Sequence, residues 1–158
     1  MHFTACSPLF SIPMTRSFDL ARAPGHLIRR AQQIAVAEFA LEMADFDITP
    51  VQFALLNALL ETSGVDQITL AKSVAFDPAT SGSVIARLEA KGWVRREADE
   101  HDRRRKLLFV TAEGMQALEG MKEAVQRAQQ RILQPLSATE QRQLVHLLAR
   151  LVDGHESA

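Results

Sequence analysis

The chain has 158 residues, 47% of them hydrophobic and 23% charged. That is long enough for one domain with a proper core or for two small subdomains, and too apolar for bulk disorder. No apolar run approaches the roughly 20 residues needed to span a bilayer. A single cysteine, Cys6, rules out an internal disulfide and fits a reducing compartment, so a cytoplasmic location is expected. The net charge is only -1, but it is unevenly spread. Between Arg87 and Lys106 there are eight Lys and Arg against five carboxylates, an excess of three that leaves -4 on the rest of the chain. A local basic patch on an acidic body suits a phosphate backbone better than a uniform coat would.

Residues 1–20 read as a flexible tail. "MHFTACSPLFSIPMTRS" is mildly apolar, but Ser and Pro interrupt it and it lacks the basic start of a signal peptide; Met14 offers an alternative translation start. From Pro24 to about Asp45 a long helix is predicted, with Leu27, Ala31, Ile34 and Ala35 on one face and Ile28, Phe39 and Phe46 on another. A helix apolar on more than one side is buried on more than one side. Thr49, Pro50 and Gln52 form a capping box that opens the next helix, whose stripe is Leu55, Leu56, Leu59 and Leu60 and whose stop is Gly64. Asp66 caps a short helix with Leu70, Ala71 and Val74 inward. Asp77 caps another, with Pro78 in its first turn, Val84, Ile85 and Leu88 inward and Gly92 at its end. Two short helices joined by a few residues form a helix-turn-helix pattern. The period then changes. "WVRREAD" and "RKLLFVT" are rich in β-formers and flank a charged turn, which predicts a hairpin wing. After Thr111 the pattern is helical again, with a seam of Leu118, Met121, Val125, Ala128 and Ile132 that Pro135 breaks. Ser137 to Glu140 is a capping box for a last helix carrying Leu144, Leu147, Leu148 and Leu151. There are no internal repeats.

The fold class expected is therefore mainly α with a small β-hairpin: a winged helix-turn-helix over 47–114, and a helical dimerisation region from 21–46 and 115–158. The surplus of apolar faces near 24–45, 111–133 and 137–153 points to a homodimer.

In a helix-turn-helix the N-terminal residues of the second helix meet base edges in the major groove. Here Thr80, Ser81 and Ser83 hold that position, and each can bond to several base edges or to phosphate. Gly82 costs roughly 1 kcal/mol of helix stability against Ala, which either close approach of the backbone to DNA or a tight helix-helix contact would offset. Arg87, one turn further on, reaches toward phosphate. Arg103, Arg104, Arg105 and Lys106 crowd the wing, where a narrow minor groove attracts inserted Arg. Asp102 beside them would pair with an Arg and fix its direction. By itself such a turn is ordinary solvated surface; beside a helix-turn-helix it is a DNA contact. A two-fold pair of such units would read a palindromic operator in double-stranded DNA.

The span 47–114 resembles the MarR family of winged helix-turn-helix repressors. The marks are Leu70-Ala71, the Asp77-x-x-Thr80 opening, Arg87 to Gly92 as R-L-E-x-K-G, the wing from Asp99 to Arg104 as D-x-x-D-R-R, and Val110, Thr111 and Gly114 at its close. Many members carry a basic residue where this chain has Ser83. The shorter stretches "PGHLIRRAQQ" and "TSGSVI" resemble the branch that controls catabolism of aromatic acids and phenols. The resemblance implies an effector held between the winged domain and the dimerisation helices. There His26, Arg29 and Arg30 would hold a carboxylate, and Phe46, Phe53, Met115 and Leu118 would wall a ring. The same two arginines could instead bridge to acids across a dimer, with His26 capping the helix start. A small aromatic acid such as a hydroxybenzoate, or a phenol, is thus the expected effector. Two alternatives stand beside it. One is thiol-based redox sensing through Cys6, although the tyrosines that hold the thiolate in peroxide-sensing relatives are absent here. The other is a dimeric structural module that binds no DNA. No nucleophile elbow, P-loop or dinucleotide fingerprint suggests an enzyme, no cofactor is implied, and the five histidines lack metal-ligand spacing.

Overall fold

A computed structural model describes residues 18–156. Helix α1 spans Pro24–Glu42, α2 Pro50–Glu61, α3 Gln67–Ser73 and α4 Pro78–Ala90. The wing strands are β2 Val94–Ala98 and β3 Lys106–Val110, and a two-residue strand β1, Val65–Asp66, precedes α3. Helices α5 Ala112–Leu133 and α6 Ala138–Glu156 close the chain. The sheet is antiparallel in the order β1-β3-β2, with Val65 opposite Leu108 and Val94 opposite Val110. No helix among the described residues is long and apolar enough to cross a membrane.

Local chemistry sets the boundaries. The Gln52 N–H donates to Thr49 Oγ1 at 3.3 Å and the Thr49 N–H donates to Gln52 Oε1 at 2.9 Å, a reciprocal capping box. Asp77 accepts from the Ala79 N–H at 3.1 Å to start α4, and Gly92 takes the left-handed conformation (φ 75°) that ends it. Helix α1 stops three residues short of the expected boundary. After Met43 the chain tightens into a 3₁₀ turn, Ala44–Phe46, and Asp47 enters the left-handed region at φ 48°. Strand β1 was not foreseen, because two residues carry no readable alternation.

Two apolar clusters form the interior. Leu55, Leu56, Leu59, Leu70, Ile85, Leu88, Val94 and Leu108 make the core of the winged unit, with Leu118 reaching in from α5. Leu60 of the expected stripe instead faces outward. The second cluster joins Phe39, Met43 and Ile48 to Met121 and Ala124. Phe53 and Trp93 touch both, and the Phe39 and Phe53 rings lie 5.9 Å apart, so the two clusters share a wall. Glu42 ties α1 to α5 by ion pairs to Arg127 (2.7 Å) and Arg131 (2.9 Å).

The apolar faces of the outer helices are otherwise bare. Of α1 only Phe39 is buried, while Leu27, Ile28, Ile34 and Leu41 are half exposed or nearly so. From Ala138 to His155 no residue is buried, and Leu144, Leu147, Leu148 and Leu151 lie open.

Asp66 does several things at once. Its backbone sits in β1 opposite Leu107. Its carboxylate accepts from the Thr69 N–H at 2.9 Å to cap α3, and from Arg105 Nη2 at 2.5 Å to hold the wing. The Thr69 N–H, then Arg105, lower its pKa to about 2. A carboxylate depressed in the folded state contributes stability above its unfolded pKa and loses it as pH falls through the folded one.

Two predictions follow from this packing. Between pH 4 and 2 the stability of the wild type should fall more steeply than that of Asp66→Asn, which keeps a capping oxygen but has no charge to titrate; urea midpoints across that range measure it. Gly114 is fixed by sterics, since a Cβ there would stand 2.3 Å from the Trp93 carbonyl oxygen, whereas one on Gly120 would come no closer than 3.7 Å to Phe46. Gly114→Ala should therefore cost about 1–3 kcal/mol or more by overpacking. Gly120→Ala should stabilise by up to ~1 kcal/mol through helix propensity, so chemical denaturation should move the two midpoints in opposite directions.

Candidate nucleic-acid interface

Helix α4 presents two faces of different character. At 100° per residue, Ser81, Ile85 and Leu88 fall together, and all three are buried. Thr80, Ser83 and Arg87 fall together on the far side, and all three are exposed. Ser81 therefore leaves the set of DNA-facing residues: it is fully buried and its hydroxyl donates to the Pro78 carbonyl at 2.8 Å. The Thr80 hydroxyl lies 3.2 Å from the Asp77 carbonyl and 3.3 Å from its carboxylate, and the Ser83 hydroxyl donates to the Thr80 carbonyl at 3.0 Å. Both are held in place on an open surface. Arg87 makes no ion pair among the described residues. It lines a polar cleft of about 440 Å³ with Asp47, Thr49, Gln52, Ala90 and Lys91.

At the back of that cleft Lys91 clasps the α1–α2 junction. Its ammonium donates to Asp47 Oδ2 at 3.0 Å and to the Phe46 carbonyl at 3.4 Å, and lies 5.0 Å from the centre of the Trp93 ring.

The wing tip is built by its acids. The Asp99 N–H donates to the Arg105 carbonyl, the His101 N–H to Asp99 Oδ1, and the Arg105 N–H to the Asp102 carbonyl. Asp102 was expected to pair with an Arg side chain. Its carboxylate instead accepts from the Arg104 backbone N–H at 3.0 Å, so it shapes the turn rather than aiming a guanidinium. Arg105 also differs from the expectation. Its guanidinium turns back onto Asp66 and, at 3.8 Å, Asp99. Arg103, Arg104 and Lys106 are exposed and form no ion pair among the described residues. Cations free of partners on an open hairpin are available to polyanions, and Arg105 is the brace that holds them out. The role of Asp66 as its anchor was missed; the sequence marks that residue only as a helix cap.

The expected effector residues do not form one pocket within the chain. His26, Arg29 and Arg30 lie in the first two turns of α1, with Arg29 Nη2 3.5 Å from His26 Nδ1. Phe46 lies beyond the other end, and at 1.5 Å per residue the twelve helical residues between Arg30 and Met43 alone span about 18 Å. Leu118 is a core residue of the winged unit, Phe53 packs between the two cores, Phe46 is half-buried against the second, and Met115 is exposed. Cys6, Met14 and the redox reading attached to the cysteine lie outside the described residues.

Comparison with known proteins gives one consistent result. Residues 46–105 match the MarR family. The HTH-type transcriptional repressor NicR of Pseudomonas putida is 30% identical over 152 residues, which cover 96% of this chain and 94% of the relative. The crystal structure of a probable transcriptional regulator from Pseudomonas aeruginosa superposes with a TM-score of 0.79 at 38% identity, over 84% of this chain and 98% of that one. BpsR of Bordetella bronchiseptica, whose DNA binding is regulated by 6-hydroxynicotinic acid, superposes with a TM-score of 0.80 at 32% identity, over 86% of this chain and 97% of the other. With a winged helix-turn-helix, a bare face on its second helix and relatives matched over nearly their whole length, the chain belongs to the MarR family of transcriptional regulators.

Proposed function

We propose that the protein is a homodimeric repressor that reads a palindromic operator and is released from it by a small aromatic carboxylate. The observation that carries the DNA reading is the placement of Thr80, Ser83 and Arg87 on one open face of α4, beside a wing whose Arg103 and Arg104 have no acidic partner among the described residues of an otherwise acidic chain. With α4 in the major groove, the hydroxyls meet base edges, Arg87 meets phosphate and the wing arginines meet the adjacent minor groove. Two copies joined through the open faces of α1 and α6 would place two such helices about one helical turn apart. Nothing in this reading calls for an enzyme or a membrane partner.

The effector reading rests on the cations of α1. His26, Arg29 and Arg30 offer a carboxylate two forked donors near an apolar helix face, and a site that adds an aromatic wall would need residues beyond the reach of the same chain's Phe46. BpsR, which is regulated by an aromatic carboxylic acid, supports the class of ligand. A ligand shifts the DNA equilibrium only by its difference in affinity for the two forms, typically by 5–150-fold, and operator DNA must weaken the ligand by the same factor.

Titration of the chain's own upstream DNA should give two chains per duplex. In the same titration Arg104→Ala should weaken binding and reduce the slope of log affinity on log salt by about one; an unchanged affinity and slope would take the wing out of the groove. For the effector, calorimetry with a panel of benzoates, hydroxynicotinates and phenols should find an acid that binds below about millimolar, more weakly when operator is present and more weakly to Arg29→Ala. Equal binding with and without DNA would end the effector reading while leaving the DNA reading intact.

A further inference from the structure

Gly82 sits in the second turn of α4, away from both faces described above. A Cβ placed on it would stand 3.2 Å from Nε2 and 3.6 Å from Oε1 of Gln67, the first residue of α3. A side chain on the glycine would thus be crowded by a few tenths of an ångström against the amide of a neighbouring helix. That amide is held on both sides. Its Nε2 donates to the Pro78 carbonyl in the first turn of α4 at 3.5 Å, and its Oε1 accepts from Arg96 Nη1 on β2 at 3.4 Å. Arg96 in turn donates from Nε to Glu89 Oε2 at 2.8 Å. Glu89 lies seven residues after Gly82, two turns along and within about 20° of it around the axis. A wedge near one end of α4 and an ion pair near the other therefore grip the same side of the helix.

Packing of the buried Ile85 and Leu88 resists rotation of the helix about its own axis, and these polar contacts add a directional restraint on another side of it. Base readout demands such restraint. Side chains about 6 Å from the axis move about 2 Å for a roll of 20°, which takes a donor or acceptor out of the narrow range of a hydrogen bond. We propose that Gln67 is a positioning residue: seated in the notch at Gly82 and backed by Arg96 and Glu89, it sets the roll of α4 and so the base discrimination of Thr80 and Ser83. This rests on the operator reading above.

The grip makes Gly82 and Gln67 energetically coupled in DNA discrimination, and a double-mutant cycle reads that coupling. The probes are the tightest duplex recovered from a random pool by the wild type and its scrambled counterpart, compared by fluorescence anisotropy at one salt concentration. Thermal midpoints by circular dichroism confirm folding; Ala favours helix at both positions. Gly82→Ala should lower the ratio of the two affinities about tenfold, the scale of one mismatched base pair, while affinity for the scrambled duplex, set by phosphate contacts, stays the same. Gln67→Ala should lower the ratio by less. Adding Gly82→Ala to Gln67→Ala should lower it no further, because the wedge that the new methyl would strike is gone. An equal loss from Gly82→Ala in both backgrounds would overturn the proposal, since the methyl would then be meeting DNA rather than Gln67. So would an unchanged ratio in Gly82→Ala. A wild type that recovers no preferred duplex would instead refute the operator reading on which the proposal stands.

Discussion

One carboxylate joins the parts that must act together. Asp66 lies where β1, α3 and the wing meet, and it bonds to the backbone of α3 and to the guanidinium of Arg105 at the same time. Without that acceptor Arg105 would be one more cation on a hairpin already carrying Arg103, Arg104 and Lys106, and the tip would lose a side-chain tie to the start of α3. With it, a flexible loop becomes a bracket, and the repulsion among neighbouring cations is relieved by drawing one of them inward. Such a pair is only partly shielded from water, so its worth is geometric more than energetic.

The division of charge has the same logic. The acids of the basic segment are not scattered diluents. Asp99 and Asp102 shape the turn, Glu89 holds Arg96 on the strand, and Glu97 pairs with Arg95. The cations they engage lie at the base of the wing or point back toward it. Those left without acidic partners among the described residues, Arg87, Arg103, Arg104 and Lys106, are exposed. A modest local excess thus becomes a concentrated one where it matters, because neutralisation is selective.

Elements with strong local signals were legible in the sequence. Caps at Thr49, Asp66, Asp77 and Ser137, and glycine stops at Gly64 and Gly92, fall where expected because they depend on residues within one turn of each other. What was not legible depends on partners distant along the chain. Asp66 meets Arg105 across 39 residues, and nothing in the neighbourhood of either announces the other. The inward turn of Ser81 was within reach, since its spacing to Ile85 and Leu88 places it on the apolar side, but a serine beside a threonine at the start of a recognition helix reads as polar surface. Phe53 and Leu118 looked free to line a pocket because sequence gives their side but not what already occupies it. Gly114 carried a family mark, yet its cause, a Trp93 carbonyl oxygen lying where a Cβ would stand, comes from a residue distant along the chain.

Helix α5 enters both apolar clusters within one turn: Leu118 belongs to the first and Met121, three residues later, to the second. A single helix therefore passes through both interiors and couples the opening of one to the other. In terms of amide hydrogen exchange, α2, α4 and the first half of α5 should form one cooperative unit whose slowest protons report global unfolding. The early turns of α1, and α6 from Ala138 to His155, with no buried side chain to hold them, should open faster as a separate layer in the isolated chain, so the recognition surface and the outer helices need not share a clock.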